Sequence, residues 1–541
     1  MAVVREVDTC SGQLVVKKLA CLAMWVERCL YNGRCLKFQD LSCDSESVVV
    51  MVRMGILVAA TVMVIDSVVF ADWPQFRGTN SAGIADETAV VTEFGPGKNE
   101  LWSVAVGSGH SSPCIVADSI FLTSFVRDRK ELQVLSIDRT TGRLRWKYTL
   151  RVKEFERGHP SFNPASSTPA SDGERVVIYF GSYGLICLDV KGRKQWEIRL
   201  PLTRSYSGNA VSPVISGDKV ILYRGNYVDH YLLALDKRTG KELWRVRQSE
   251  RFTPNMACTA CPIVAAGKVI VHAARSVQAF DLQAGKRVWI LKCSTTATST
   301  PVVAGEEVIV ATWNQTGEAS LTPKFPTYDE MLSENDKNGD QLIDRRELPR
   351  LFYFHRSAGT EAPQNGYPFP FAHGDRNKNG TISRDEWDAV LDRQSERVAG
   401  FVKHGLIGIP LESEGLLGEG DIRRLESQGI PEVPSPISYG GHVYFVKNGG
   451  VLTCVDLANG KRRSRIRTRG TGTHYASPII ADGKLFSTAG NGTVSVLSVE
   501  PRPRILAVNK MGVSTYATPA VVQGVIYVRT HEKLYAFGEC P

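Results

Sequence analysis

From about residue 100 onward, short apolar runs alternate with polar turns along the whole chain. Runs such as KVILYR (219–224) and KVIVHA (268–273) are six residues long and rich in β-branched residues, which is typical of buried strands. A Ser or Thr, and once a Cys, precedes Pro at the start of each repeat and leads into an apolar run. Eight such steps occur, with prolines at positions 113, 169, 213, 262, 301, 436, 478 and 519. Short strands in units of about 40 to 55 residues indicate a repeat fold.

A second motif recurs at the end of the third strand of several units. An Asp opens a turn, a Gly follows four positions later, and a Trp follows eight positions after the Asp. It occurs as Asp138, Gly142 and Trp146; Asp236, Gly240 and Trp244; and Asp281, Gly285 and Trp289. We interpret the Asp as the cap of the turn, the Gly as the residue with a positive φ angle, and the Trp as the cover between neighbouring sheets.

The final unit lacks an outer strand, whereas an unassigned strand with Trp102 precedes the first unit. We therefore expect residues 99–106 to pair beside 533–537, which closes the ring and removes exposed sheet edges. The predicted fold class is all-β: residues 72–541 form an eight-bladed β-propeller of four-stranded blades. A small α-helical insertion is expected in blade five.

That insertion, residues 314–402, contains two loops whose oxygen-bearing side chains follow the EF-hand spacing. In DKNGDQLIDRRE (336–347) the expected metal ligands are Asp336, Asn338, Asp340, the Leu342 carbonyl, Asp344 and Glu347. In DRNKNGTISRDE (375–386) they are Asp375, Asn377, Asn379, the Thr381 carbonyl, Ser383 and Glu386. The sequence thus predicts a paired EF-hand that binds Ca²⁺, placed as a cap or arm on the funnel face.

Each loop also departs from the ideal pattern, so a solvated acidic turn without metal is the alternative. Gln341 stands where the sharp turn favours Gly, at a cost on the order of 1 kcal/mol. The second loop offers only two carboxylate ligands, Asp375 and Glu386. We expect the modest affinities of extracellular calcium modules.

The first 71 residues predict export rather than a folded domain. Residues 51–71 have a short basic start, an apolar stretch and small residues Val69 and Ala71, which indicates a signal peptide cut before Asp72. The alternative is an uncleaved anchor, although Arg53 and Asp66 would then lie in the span. Residues 1–50 show no domain pattern and are interpreted as a non-structural or mis-assigned extension. We expect a periplasmic or secreted protein without a stable membrane span after cleavage.

The Asp-Gly-Trp turns resemble those of pyrroloquinoline-quinone (PQQ) type β-propellers. This fold is shared by quinoprotein alcohol dehydrogenases and by the propeller component of the outer-membrane β-barrel assembly machinery. Segments such as WPQFRG (73–78) further resemble a secreted, planctomycete-type subgroup. In the quinoprotein dehydrogenases, the quinone is stacked between a Trp and a disulfide of two adjacent cysteines, and a calcium ion lies beside it in the funnel. The resemblance would imply the same residues here if this chain bound a quinone. This chain has no adjacent cysteine pair; Cys258 and Cys261 are three positions apart.

Residues just before the Ser/Thr-Pro steps are expected to line the mouth of the funnel. They are His110, Asn163, Ser166, Tyr206, Asn209, Asn255, Thr259, Thr296, Glu432, His474, Tyr475 and Tyr516.

The missing cysteine pair and the intact repeat favour a non-enzymatic, exported, calcium-binding scaffold. We expect it to be a monomer with a protein or polymer ligand at the funnel. A PQQ-dependent oxidoreductase is the alternative, and the Tyr and Asn content suggests carbohydrate binding as a further one. The net charge of +9 is spread without a long basic run, which argues against nucleic-acid binding.

Overall fold

The computed structural model describes residues 72–86, 89–227, 229–248, 259–293, 295–313, 324–352, 368–396 and 400–539. The predicted extension, the signal peptide and Asn255 lie outside these ranges. Within them, no helix is long and apolar enough to cross a membrane.

Eight sheets of at least four strands follow one another along the chain. Ahead of them lie β1 (Ile84–Ala85) and β2 (Glu100–Ala105). Blade one comprises β3 (Cys114–Val116), β4 (Ser119–Val126), β5 (Glu131–Asp138) and β6 (Leu144–Arg151). Blade two comprises β7 (Ala170–Ser171), β8 (Arg175–Phe180), β9 (Gly184–Asp189) and β10 (Lys194–Arg199). Blade three comprises β11 (Val214–Ser216), β12 (Lys219–Arg224), β13 (Tyr231–Asp236) and β14 (Glu242–Arg247).

Blade four comprises β15 (Ile263–Ala265), β16 (Lys268–Ala273), β17 (Ser276–Asp281) and β18 (Arg287–Lys292). The chain then continues through β19 (Val302–Ala304), β20 (Glu307–Thr312), α1 (Tyr328–Asn335), β21 (Ile343–Asp344), β22 (Thr381–Ile382), α2 (Arg384–Glu396), β23 (Gly405–Pro410), β24 (Gly415–Leu417) and β25 (Arg423–Glu426). Blade five is the sheet β19-β20-β23-β25, and β24 pairs in parallel with β18 as a fifth strand of blade four.

The remaining blades return to the simple pattern. Blade six comprises β26 (Ile437–Tyr439), β27 (His442–Lys447), β28 (Val451–Asp456) and β29 (Arg462–Arg467). Blade seven comprises β30 (Ile479–Ala481), β31 (Lys484–Thr488), β32 (Thr493–Ser498) and β33 (Ile505–Lys510). Blade eight comprises β34 (Ala520–Val522), β35 (Val525–Arg529) and β36 (Lys533–Phe537). Short 3₁₀ turns lie at Thr79–Ser81, Phe371–His373 and Glu419–Asp421.

Burial along the strands follows their position in each blade. All six residues of β12 are buried, because the middle of each sheet packs against neighbouring blades on both faces. In the outer strand β14, by contrast, exposed and half-buried residues alternate after its first residue. The hydrophobic core is therefore divided among the interfaces between blades rather than collected in one centre.

The ring closes as the sequence predicts. The strand β2 pairs antiparallel with β36, with Trp102 opposite Ala536 and Val104 opposite Leu534. The eighth sheet, in the order β2-β36-β35-β34, thus combines both ends of the propeller. The prediction of eight four-stranded blades with this closure is confirmed.

The outer-strand tryptophans seal neighbouring blades against each other. Trp196 of blade two lies over Gly240 of the blade-three turn, and its indole N–H donates to the Lys237 carbonyl at 3.0 Å. Gly240 has a φ of +73°, and a Cβ there would lie 2.7 Å from the Trp196 ring, so no other residue fits. The same packing joins Trp102 to Gly142, Trp146 to Gly192 and Trp244 to Gly285.

The segment of residues 72–86, called here the axial segment, crosses the centre of the ring. Trp73 exchanges two backbone hydrogen bonds with Ile115 of blade one, each 2.8 Å long. The Arg77 guanidinium donates to the Pro436 carbonyl of blade six at 2.7 Å, and the Ile480 N–H of blade seven donates to the Gly83 carbonyl at 2.9 Å. Trp73 and Arg77 are fully buried. The sequence pattern did not reveal this crossing.

The part of the chain between β20 and β23 has its own small core. Phe325, Met331, Phe369 and Trp387 pack together there, with the Phe325 and Trp387 rings stacked at 5.6 Å between centroids. The helix α1 begins at a capping box. The Thr327 side chain accepts the Glu330 N–H, and the Glu330 side chain accepts the Thr327 N–H. β21 and β22 pair antiparallel.

Candidate binding cavity at the funnel mouth

The eight residues that precede the repeat prolines are joined in one closed circle of hydrogen bonds. The backbone N–H of each donates to the side chain of the corresponding residue in the next blade, over 2.9 to 3.2 Å, and the N–H of Thr518 closes the circle on Ser112. We call this circle the hydroxyl ring: Ser112, Thr168, Ser212, Cys261, Thr300, Ser435, Ser477 and Thr518. A small side chain with an acceptor atom is thus needed at this position in every blade.

Above the hydroxyl ring lies a cavity of about 380 Å³ lined by residues from all eight blades. The ring residues and Phe76 of the axial segment contribute to its lining. Its size lies toward the lower end of the range of small-molecule sites, roughly 300 to 1,000 Å³. The propeller therefore presents a concave surface to which all eight blades contribute.

Most of the predicted mouth residues line this cavity. They are His110, Ser166, Tyr206, Thr259, Thr296, Glu432, Tyr475 and Tyr516. Three others turn into the protein instead. The Asn163 and Asn209 amides donate to Ser108 and Ser167 at 3.1 and 2.8 Å, and His474 is fully buried.

Other lining residues were not predicted from the sequence: Phe76, His159, Ser161, Phe162, Ser207, Trp313 and Asn448. Phe76 arrives with the axial segment, and residues 159–162 belong to the long connection between blades one and two. Trp313 follows β20, where the chain departs toward α1. The unusual length of these connections could have identified these lining residues from the sequence, because long loops between regular elements often carry function.

The cavity has little charge. Glu432 is the one acidic side chain in the described lining, and its carboxylate accepts from the Asn448 amide at 3.0 Å. The lining that the structure describes includes no Lys or Arg. Burial, together with the nearby Arg529 and His531, lowers the pKa of His110 to about 3, so this imidazole is neutral at physiological pH.

An aromatic surface runs along one side of the cavity. The Tyr516 ring meets the His110 ring edge-on at 4.9 Å and the Tyr475 ring edge-on at 5.2 Å, measured between centroids. On the other side, Phe162 lies against Gly208, where a Cβ would come within 2.3 Å of the ring. These contacts hold the aromatic rings in place before any ligand arrives.

Glu156 anchors the connection that carries His159 and Phe162. Its carboxyl group is buried beside Gly181, where a Cβ would lie 1.9 Å from Oε2. Burial raises the pKa of Glu156 well above its usual value, although the Arg224 guanidinium opposes that shift. The Glu156 carboxyl is therefore harder to ionise in the folded protein than a solvent-exposed carboxyl.

The first acidic loop brings three carboxylates together. Oxygens of Asp336, Asp340 and Glu347 lie within 4.8 Å of one another. Gln341 adopts a φ of +61° at the sharp turn, as the sequence pattern requires. The remaining predicted positions, Asn338, Leu342 and Asp344, lie in the same loop, where Asn338 Oδ1 accepts the Asp340 N–H at 2.8 Å.

The second loop has a similar backbone arrangement. Asp375 accepts the N–H groups of Asn379 and Gly380 at 3.0 and 3.1 Å, as Asp336 does for Gly339 and Gln341 in the first loop. The two loops meet where Ile343 pairs with Ile382. The other predicted positions are Asn377, Thr381, Ser383 and Glu386, and Glu386 Oε2 accepts from the Ser383 hydroxyl at 2.9 Å.

The family model described as outer membrane protein assembly factor BamB matches residues 81–231, 226–322 and 422–539, well over half of the chain. No curated protein matches.

Three of the solved structures that match the chain have the following similarity to it. A europium-containing methanol dehydrogenase is 12% identical over 87% of this chain and 98% of its own, with a TM-score of 0.52. A quinohemoprotein alcohol dehydrogenase from Comamonas testosteroni is 13% identical over 87% and 81%, with a TM-score of 0.51. BamB from Moraxella catarrhalis is 14% identical over 81% and 98%, with a TM-score of 0.47. At these identities the first two show the fold alone, whereas the family match, together with the eight-bladed ring, shows that the chain belongs to the PQQ-like propeller family described as outer membrane protein assembly factor BamB.

Proposed function

We propose that this protein is an exported binding or assembly scaffold, with the funnel cavity as its recognition surface and with calcium in the segment inserted in blade five. The observation that carries this proposal is the cavity itself, to which every blade contributes. Because residues of all eight blades line the cavity, the binding surface exists only when the ring is closed. The family description, an assembly factor, agrees with a scaffold role.

The partner in this proposal is a protein or polymer segment that inserts into the mouth of a monomeric propeller. The pattern of residues 51–71 supports export to the periplasm or the medium. The inserted segment leaves blade five beside Trp313, which itself lines the cavity. It is therefore suited to act as an arm next to the bound partner.

A quinone-dependent dehydrogenase fits the cavity less well. PQQ is a tricarboxylate, and no Lys or Arg lies in the described lining to balance its charge. Cys261 lines the floor, but its thiol accepts the Ser212 N–H within the hydroxyl ring, and no adjacent cysteine exists in the sequence. The described lining therefore supports a quinone site less well than a scaffold surface, and we assign no redox role to its residues.

The residues of the inserted segment do fit calcium. Their donors are oxygens, the ligands that Ca²⁺ prefers. In an EF-hand pair, Asp336, Asp340 and Glu347 would supply the carboxylates of the first site, and Asp375 and Glu386 those of the second. Calcium would supply the positive charge that holds each loop closed and would thereby stabilise the segment.

The scaffold role can be tested by site-specific photocrosslinking in the native host. Tyr206 in the cavity and Tyr439 at the opposite end of blade six are matched positions, because their exposed fractions are 41% and 37%. With benzoylphenylalanine at each position in turn, we expect a discrete crosslinked partner at 206 and none at 439. Equal crosslinking at both positions, or none at either, would count against the proposal.

The calcium role can be tested by isothermal titration and by thermal unfolding after EGTA treatment. Glu347→Gln removes the predicted bidentate ligand, whereas Glu334→Gln, on the exposed side of α1, removes the same charge outside the loop. We expect the wild type and the control to bind Ca²⁺ with a Kd of roughly 10⁻⁴ to 10⁻³ M, and Glu347→Gln to lose at least one site. Unchanged heats in Glu347→Gln would refute the predicted ligand set.

A further inference from the structure

We propose that the funnel cavity binds a neutral, polyhydroxylated ligand, such as a free saccharide or the terminal sugar unit of a polymer. This inference rests on the proposed function of the funnel as a binding surface. The group that enters the cavity would be a sugar or a similar uncharged polyol.

The first argument comes from the floor of the cavity. Each hydroxyl of the ring accepts one backbone N–H and retains its own proton to donate. The hydroxyls of Ser212 and Thr300 also lie within hydrogen-bonding reach of the Cys261 sulfur, and the other five have no acceptor among the described residues. Seven O–H groups and one thiol therefore converge around the axis. Hydroxyl groups of a ligand can donate to and accept from such a surface, because a hydroxyl does both.

The second argument comes from the walls. Tyr475 and Tyr516 on one side and Phe162 on the other offer ring faces and edges, while Trp313 and Phe76 add apolar surface. A pyranose ring has an apolar C–H face and polar hydroxyl edges. It can therefore pack against the aromatic walls while its hydroxyls reach the floor.

The third argument is electrostatic. An anionic ligand would find no Lys or Arg in the described lining and would meet the Glu432 carboxylate. A cationic ligand would find only that carboxylate, which already accepts from Asn448. Burying an unpaired charge is costly, so the cavity discriminates in favour of neutral ligands.

The fourth argument is size. A cavity of about 380 Å³ suits one or two sugar rings rather than a folded domain. A polysaccharide could enter only by its end. Free sugars and chain ends share the same chemistry, and an oligosaccharide series separates these two sources.

The experiment is saturation-transfer NMR on the full propeller. The neutral probes are glucose, N-acetylglucosamine, cellobiose and chitobiose at about 10 mM, where a site with a Kd near 1 mM is mostly filled. Glucuronic acid and glucosamine serve as charged analogues. We expect at least one neutral probe to bind, with both charged analogues about tenfold weaker, and longer oligosaccharides to bind through their terminal unit if a polymer is the source.

Two variants make the result specific. Tyr516→Ala should abolish saturation transfer, whereas Tyr439→Ala, on the far face, should leave it unchanged. No transfer from any neutral probe, or preferential binding of a charged analogue, would overturn the inference. Crosslinking at position 206 that persists in that case would leave the scaffold role standing, whereas its absence would remove both.

Discussion

Among single residues, Glu156 makes a sharp prediction about pH. Because its pKa is raised in the folded protein by burial, its contribution to stability is fully present below the ordinary carboxyl range and is lost as the pH rises through the folded pKa. The other charged or titratable groups that affect this site are Arg224, whose charge opposes the shift, and Tyr179.

We expect Glu156→Gln to keep the packing against Gly181 and to remove this pH dependence. In urea unfolding at a series of pH values, the wild type should lose stability relative to the variant by up to about 1.4 kcal/mol per pH unit as the pH rises from the ordinary carboxyl range toward the raised folded pKa, and by no more above it. Parallel stability curves for the two proteins would show that Glu156 is not the responsible group.

The hydroxyl ring makes a second prediction at this scale. Ser435→Ala removes the acceptor of the Thr300 N–H and leaves that buried donor unpaired, which should cost about 1 to 3 kcal/mol. Cys261→Ser is the matched control, because it completes the ring with a hydroxyl and should be at least as stable as the wild type. Urea midpoints compare all three proteins; a Ser435→Ala variant as stable as the wild type would mean that the ring adds nothing.

The location of a residue near the funnel mouth was easier to predict than the direction in which its side chain points. The repeat prolines locate the cavity floor, and the residues before them include His110 and Tyr516. The same rule selects Asn163 and Asn209, whose amides turn instead to neighbouring hydroxyls. Sequence spacing places a residue near the mouth, but local hydrogen bonding decides whether its side chain enters the cavity.

Among elements, the axial segment contributes the clearest prediction. Trp73 is 1% exposed and lies over Gly78, so Trp73→Ala should cost about 3 to 5 kcal/mol. Trp73→Phe, which keeps an aromatic ring, should lose much less. If urea unfolding places the alanine variant within 1 kcal/mol of the wild type, the segment does not hold the blades together as described.

The strands that repeat in every blade were predictable, whereas the short additional strands were not. The strands of each blade follow from apolar runs and turn residues, and α1 and α2 lie in the insertion that was expected to be α-helical. The additions β1 and β24 have two and three residues. Strands so short show no periodicity, and their partners, β30 and β18, are far away in the sequence or in another blade.

At the scale of the whole molecule, the number of blades and the closure could be derived from the sequence. Eight proline steps give eight blades, and the unmatched strand with Trp102 identifies the closing pair. The cavity could be anticipated only in outline. Its depth and its low charge depend on Phe76 and on long connections that the repeat does not specify, which is why the fold leaves the function open.

Reconstitution with quinone tests most directly whether the funnel is a binding surface of a scaffold or the active site of a quinone-dependent enzyme. Purified residues 72–541 are incubated with PQQ and Ca²⁺ and desalted, and retained quinone absorbance is measured together with dye reduction by simple alcohols and sugars. We predict no retained quinone and no quinone-dependent turnover. Stoichiometric retention accompanied by turnover would contradict the scaffold proposal and make this propeller a quinone-dependent dehydrogenase.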